Sequence, residues 1–102
     1  MLSYKVVYSL AATYDIDHMV DYIKGIYRLE SGLKYVSRIR EKLEALSYAA
    51  EALPHSRRRI VRNIHPEAKT ITIMNHKWTA VFHISEGFVI IDRILPSKMI
   101  TE

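Results

Sequence analysis

The sequence predicts an α+β fold in the element order β-α-α-β-β-β, with a helical hairpin packed on one face of a small, mainly antiparallel twisted sheet. Two segments in the first half of the chain have apolar residues at helical spacing, and three runs in the second half are rich in β-branched and aromatic residues. Short loops separate those three runs. With 102 residues, of which 49% are hydrophobic, the chain can form one two-layer core. We therefore expect a single domain over residues 1–102.

The first strand and the first helix are predicted from residues 4–27. Segment 4–8 is rich in aromatic and β-branched residues, which favours a strand. Ser9 is a suitable N-cap for the helix that follows. The apolar residues of this helix repeat at helical spacing, at Ala12, Ile16, Met19, Val20, Ile23 and Tyr27. The helix is therefore expected to be amphipathic and half-buried.

The second helix is predicted to follow a turn at Glu30-Ser31-Gly32, with Ser31 as its N-cap and Pro54 as its end. Its apolar positions are Leu33, Val36, Ile39, Leu43, Leu46 and Ala50. Because the connection is short, the two helices are expected to run antiparallel as a hairpin.

Three strands are predicted at 69–74, 78–84 and 88–95, joined by loops short enough for an antiparallel meander. In the middle strand, alternation assigns Trp78, Ala80, Phe82 and Ile84 to the face under the helices, and Thr79, Val81 and His83 to the other face. No further predicted element covers that second face, so we expect a site there. Residues 54–68 are predicted to be irregular.

The positive charge of the chain lies in its second half. Residues 1–53 hold seven basic and seven acidic residues, whereas residues 54–102 hold eight basic and four acidic ones. Four of the five histidines, His55, His65, His76 and His83, lie there too. A basic half of this kind suits a phosphate backbone or an acidic partner protein.

Several classes of site are excluded or disfavoured by composition. The chain has no cysteine, which excludes disulfides and cysteine-based metal sites. No glycine-rich phosphate-binding pattern is present, and His76 and His83 have no acidic partner at metal-ligand spacing. We expect no cofactor and no metal. The sequence begins without a secretion signal and has no apolar run of membrane length, so we expect a cytoplasmic protein without a membrane partner.

Two groups of residues are candidates for chemistry on phosphate. Four arginines within six positions, Arg57, Arg58, Arg59 and Arg62, could contact phosphates without reading sequence. Strand placement brings a second group to one sheet and its edges: His65, Lys69, His76, His83, Arg93 and Lys98. Imidazoles beside cations are what RNA cleavage by its own 2′-hydroxyl requires, namely a base, an acid and positive charge.

Nearly the whole chain resembles the RelE/ParE superfamily of toxins from bacterial toxin–antitoxin modules, also known as plasmid stabilisation proteins. The resemblance rests on the opening pattern Tyr8-Ser9-x-x-Ala12-x-x-Asp15-Ile16-x-x-Met19-x-x-Tyr22-Ile23 and on Ile39-x-x-x-Leu43-x-x-Leu46 before Pro54. The runs 78–84 and 89–95 are similar to the closing strands of these toxins.

The resemblance implies a growth-inhibiting toxin that binds a cognate antitoxin in a hetero-oligomeric complex. The activity is expected to be ribosome-dependent mRNA cleavage, which would make the protein an endoribonuclease acting on ribosome and mRNA. His83, Lys69 and Lys98 would then be catalytic, with Arg57, Arg58, Arg59, Arg62, His76 and Arg93 binding RNA phosphates. His83 is the candidate acid or base because histidine is the side-chain type whose ordinary pKa lies nearest neutral pH.

The chain departs from the RelE-like nuclease pattern at two positions. Thr79 stands where those nucleases have an arginine, and Lys98 matches their basic residue after the last strand in charge only. Two alternatives therefore remain: a ParE-like poison of DNA gyrase without nuclease activity, and a degenerate toxin that only binds its antitoxin.

Overall fold

Residues 3–26 and 29–100, which the computed structural model describes, form a four-stranded sheet with two long helices on one face. The strands are β1 (Lys5–Tyr8), β2 (Lys69–Ile73), β3 (Trp78–Ser85) and β4 (Phe88–Pro96). The helices are α1 (Leu10–Ile26), α2 (Leu29–Glu44), α3 (Leu46–Ala49) and α4 (Arg59–Ile64), with short 3₁₀ turns at Ala50–Ala52 and Ser97–Met99. The predicted α+β class and the helical hairpin on a mainly antiparallel sheet are confirmed. Over these residues, no helix has the length and apolar character needed to cross a membrane.

The sheet has the order β1-β4-β3-β2, so the first and last strands are neighbours. Strands β2, β3 and β4 form the predicted antiparallel meander, and β1 pairs parallel to β4. The register between β3 and β4 shifts once, because Val81 pairs with Arg93 whereas Phe82 pairs with Ile91. Asp92 is thus the extra residue of a β-bulge, a feature that re-aims neighbouring side chains.

Ser9 caps α1 as the sequence predicts. Its hydroxyl oxygen accepts a hydrogen bond from the Ala12 N–H at 3.0 Å, which satisfies one of the free amides of the first turn. The same hydroxyl donates to the Asp92 carbonyl at 2.9 Å. The cap therefore also ties the start of α1 to the bulge in β4.

The predicted turn at Glu30-Ser31-Gly32 is wrong, because α2 already begins at Leu29 and includes these residues. First-turn amides have no partner within the helix, so serine is tolerated there, and a first-turn glutamate interacts well with the helix dipole. Gly32 is buried and Leu33 is exposed, which reverses the predicted inward position of Leu33. The helix ends at Glu44, before Pro54, and α3 and a 3₁₀ turn follow it. The predicted apolar position Tyr27 and the side chain of Ile23 lie outside the described residues.

The main core lies between the helices and the sheet. Helix residues Ile16, Ile39 and Leu43 pack in one cluster with Ala80 and Phe82 of β3. Trp78 and Ile84 pack against the same cluster, so the predicted inward face of the middle strand is confirmed.

The second face of the sheet carries a smaller core, contrary to the prediction that it is uncovered. Val61 of α4 is fully buried there with Val81 and Leu95, and Ile64 packs against them. The prediction that residues 54–68 are irregular is wrong for Arg59–Ile64, which form α4. Two apolar residues three positions apart give α4 an inward side, a signal too short to stand out among the arginines around it.

Candidate functional site

His83 lies in a polar cluster on the second face of the sheet. Its Nδ1 is 2.7 Å from Oδ2 of Asp92, and the His83 and Asp92 side chains are 13% and 16% exposed. The ring of His65, just after α4, stacks on His83 with centroids 3.7 Å apart and planes within 5°. Asp92 is the diagonal neighbour of His83 on this face, because it lies two residues beyond Ile90, the direct register partner of His83.

The hydrogen bonds of this cluster assign the neutral tautomers of the two rings. A carboxylate only accepts, so the neutral ring of His83 carries its proton on Nδ1 and leaves Nε2 as an acceptor. His65 Nδ1 accepts from the Glu67 N–H at 3.1 Å, so its proton is on Nε2. The stacked pair thus combines one potential proton acceptor with one potential donor.

Arg93 forms an ion pair in the part of β4 that extends beyond its pairing with β1. Its Nε and Nη2 donate to the two carboxylate oxygens of Asp15 at 2.8 and 2.9 Å, and the Ile94 N–H donates to the same carboxylate at 2.9 Å. The hydrogen bonds that Arg93 donates to the Asp15 carboxylate are the main cause that raises the pKa of Arg93. A phosphate would have to compete with Asp15 for this guanidinium.

Lys69 is buried on the helix side of the sheet. Its register partner is Phe82 of the main core, so the side chain of Lys69 lies on the face opposite to His83. The Lys69 Nζ donates to the carbonyls of Ala50 at 2.9 Å and Glu51 at 3.4 Å, in the 3₁₀ turn that follows α3. This lysine satisfies helix-end carbonyls.

Lys98 and His76 line a groove of about 730 Å³ at one end of the sheet, between α1 and the turn Ser97–Met99. Arg93 lines the same groove, as do the exposed Tyr22 and Met99. The Nδ1 of His76 is 2.8 Å from the Thr72 hydroxyl. His83 and Lys69 are not among the residues that line this groove.

We name Arg57, Arg58, Arg59 and Arg62 the arginine face, because all four are exposed on α4 and the residues before it. Nη1 of Arg58 donates to the Ile100 carbonyl at 3.3 Å. The arginine face lies on the second side of the sheet, where Val61 anchors α4.

The three residues predicted to be catalytic are therefore not brought together. His83 contacts Asp92 and His65 on the second face, Lys69 contacts a helix end on the other face, and Lys98 lines the groove. Thr79, at the position where the resemblance expects arginine, is buried and its hydroxyl is 2.8 Å from that of Ser97.

Sequence reasoning missed Asp92, His65 and Asp15 as partners of the predicted site residues. The loop at 85–87 implies that residues near 83 and 92 are close across a hairpin, but the exact register that brings His83 and Asp92 to 2.7 Å has no local signal. Across the described parts of the chain, no group of three or more His, Asp or Glu side chains could hold a metal ion.

No family model matches the chain, and no curated protein matches it. Among solved structures, the chain is similar to one described as a chromosomal ParDE TA system from P. aeruginosa. The identity is 21% over 92% of this chain and 96% of that chain, with a TM-score of 0.77. The similarity confirms the fold expected from the RelE/ParE resemblance.

Proposed function

We propose that this chain is the toxin of a type II toxin–antitoxin module and that it inhibits growth by poisoning DNA gyrase. The observation that carries the proposal is the fold similarity, at a TM-score of 0.77 over nearly all of both chains, to a solved ParDE TA system. The ParE type of activity is the alternative that the RelE/ParE resemblance leaves open beside mRNA cleavage.

The separation of the predicted catalytic residues supports gyrase poisoning over mRNA cleavage. Cleavage needs a base, an acid and cations around one phosphate. Lys69 and Lys98 are at two places away from His83, and Thr79 supplies a hydroxyl where a guanidinium is expected. Gyrase poisoning requires no such convergence of catalytic groups.

An antitoxin partner is supported by the outer surface of α1. Leu10, Tyr14 and Tyr22 are 91%, 62% and 57% exposed, and with His18 they follow one another at intervals of four residues. Residues at that spacing share one helix face. A stripe of exposed apolar and aromatic side chains marks a protein contact surface.

The purified protein is expected to convert supercoiled plasmid to linear DNA when incubated with gyrase and ATP, because a poison traps the enzyme's cleaved-DNA intermediate. The measurement is the fraction of linear DNA on a gel after detergent and protease treatment. A reaction without gyrase is the control and should show no cleavage. Ribosome-dependent mRNA cleavage together with unchanged gyrase products would contradict the proposal.

A second candidate function, mRNA cleavage, is favoured by one specific observation. His83 is oriented by Asp92 and stacked on His65, so an acceptor nitrogen and a donor nitrogen lie side by side. A base oriented by a third group is a recurring feature of acid–base sites. The arginine face on the same side of the sheet would supply positive charge.

Replacement of His83 with alanine separates the two candidates. If gyrase is the target, His83→Ala should retain gyrase poisoning within about twofold and lose about 1 kcal/mol of stability from the bond to Asp92. His18→Ala, which removes an exposed imidazole on α1 outside both predicted groups of site residues, is the matched control. A loss of mRNA cleavage of about a hundredfold or more in His83→Ala alone, with the fold intact by circular dichroism, would instead assign the activity to the histidine pair.

A further inference from the structure

We propose that the arginine face binds the phosphate backbone of duplex DNA without reading its sequence. This inference goes beyond gyrase poisoning, because direct binding can be measured without gyrase, and only the choice of DNA over RNA rests on the proposed function.

The local charge is of one sign. Between Glu51 and Glu67 the chain has four arginines and two histidines and no acidic residue. Within residues 3–26 and 29–100, neither Arg57 nor Arg62 is in an ion pair, in contrast to Arg93, which Asp15 holds. These two guanidinium groups keep their donors for an external partner.

The segment is anchored at several points. Val61 is fully buried against Val81 and Leu95, and the Ser56 N–H donates to the Ala68 carbonyl at 2.8 Å. Arg58 is tied to the Ile100 carbonyl at 3.3 Å. Anchoring keeps the arginines on one outward surface before a ligand arrives, which lowers the entropy cost of binding.

The chemistry of the surface fits phosphate. All four basic side chains are arginine, whose planar fork matches phosphate oxygens in pairs. No lysine lies between Glu51 and Glu67.

An acidic protein partner fits this surface less well than DNA does. A protein interface generally needs apolar anchors, and the large exposed apolar residues lie mainly elsewhere, at Leu10, Tyr14, Tyr22, Leu29, Leu33, Tyr48, Phe88 and Met99. Among residues 52–66, Ile60 is the one large apolar side chain that is clearly exposed, at 37%. The stripe on α1 thus suits a protein, whereas the arginine face suits a polyanion.

The two surfaces lie on opposite sides of the sheet. Helix α1 packs in the main core with Ala80 and Phe82, whereas α4 packs with Val81, and successive strand residues point to opposite faces. A protein bound on α1 and DNA bound at the arginine face would therefore not compete for the same surface.

The test is fluorescence anisotropy with a labelled 20-base-pair duplex, titrated with the full chain at several KCl concentrations. Non-specific binding in the micromolar range is expected, with log K falling linearly with log[KCl] and the same affinity for a second duplex of different sequence. The double variant Arg57→Ala/Arg62→Ala should reduce the salt slope by about 2 and weaken binding roughly tenfold or more at about 100 mM salt.

The matched control removes two positive charges from α2 instead, as Lys34→Ala/Arg38→Ala, both exposed residues. It should leave the slope unchanged. If both double variants lose the same amount of DNA affinity, net charge alone explains binding and the proposal is overturned. The absence of DNA binding at low salt would also overturn it. Competition by poly-glutamate as strong as that by unlabelled duplex would overturn the assignment to nucleic acid, and a tenfold preference for RNA of the same length would overturn the assignment to DNA.

The outcome is independent of the gyrase experiment. If the protein binds DNA but does not poison gyrase, only the proposed gyrase target is contradicted. If the protein poisons gyrase but does not bind DNA, only the proposed role of the arginine face is contradicted. Circular dichroism of both double variants checks that each remains folded.

Discussion

Replacement of Asp15 with alanine is expected to lower the free energy of unfolding by about 3 kcal/mol. Asp15 is the acceptor for three hydrogen bonds, two from the Arg93 guanidinium and one from the Ile94 N–H. The Asp15 side chain is 10% exposed and that of Arg93 is 38% exposed, so solvent reduces the cost below that of a fully buried pair. The variant removes the hydrogen bonds through which Asp15 of α1 holds the part of β4 that extends beyond its pairing with β1.

Urea denaturation followed by circular dichroism measures this loss, and Asp17→Ala is the matched control. Asp17 is exposed two residues further along the same helix, so its replacement should change the free energy of unfolding by less than about 0.5 kcal/mol. A double-mutant cycle with Arg93→Ala should give a coupling energy of about 1 to 2 kcal/mol. Independent effects of the two substitutions would show that the ion pair contributes no stability.

Replacement of Lys69 with methionine is expected to lower the free energy of unfolding by about 2 kcal/mol. Methionine retains most of the apolar stem, but it leaves the carbonyls of Ala50 and Glu51 without the donor that the buried Lys69 Nζ provides. The Ala50 carbonyl still accepts from the Leu53 N–H at 3.2 Å, so the expected cost is that of two lost hydrogen bonds from a charged donor, one of them buried.

The measurement is again the urea midpoint, with Lys77→Met in the exposed loop between β2 and β3 as the control. Lys69→Met should retain toxicity at a temperature where it is folded, because its ammonium group contacts carbonyls rather than an open surface. Unchanged stability combined with lost toxicity would return Lys69 to the catalytic role that its sequence position suggests.

Local patterns predicted the four strands, the two long helices and most of the main core. The alternation in β3 places Ala80 and Phe82 under the helices, and helical spacing places Ile16 and Ile39 in the same cluster. These signals depend on residues within one or two turns of each other, so they are legible in one sequence. The inward positions of α2 were assigned wrongly at Gly32 and Leu33, because the serine–glycine pair is typical of a loop although it lies within the first helical turn of α2.

The predicted site residues differ in what the structure places around them. His83 is a candidate because of its imidazole, and the structure places the Asp92 carboxylate and the His65 ring beside it; its catalytic role stays a prediction. Lys69 and Lys98 are candidates because of their charge. Charge alone does not show which face of the sheet a side chain occupies, because that depends on how distant segments pack. The hydrogen bonds of Lys69 join residues 18 and 19 positions apart, and no local period reports them.

The sequence by itself determined the α+β class, the cap at Ser9, the two faces of β3 and the concentration of positive charge after residue 53. Only the tertiary structure decided that α4 covers the second face, that the strand register brings Asp92 within hydrogen-bond distance of His83, and that Asp15 holds Arg93. The physical reason is distance along the chain. Periodicity and capping depend on neighbouring residues, whereas the partner of a buried charge is chosen by packing between segments as far apart as residues 15 and 93.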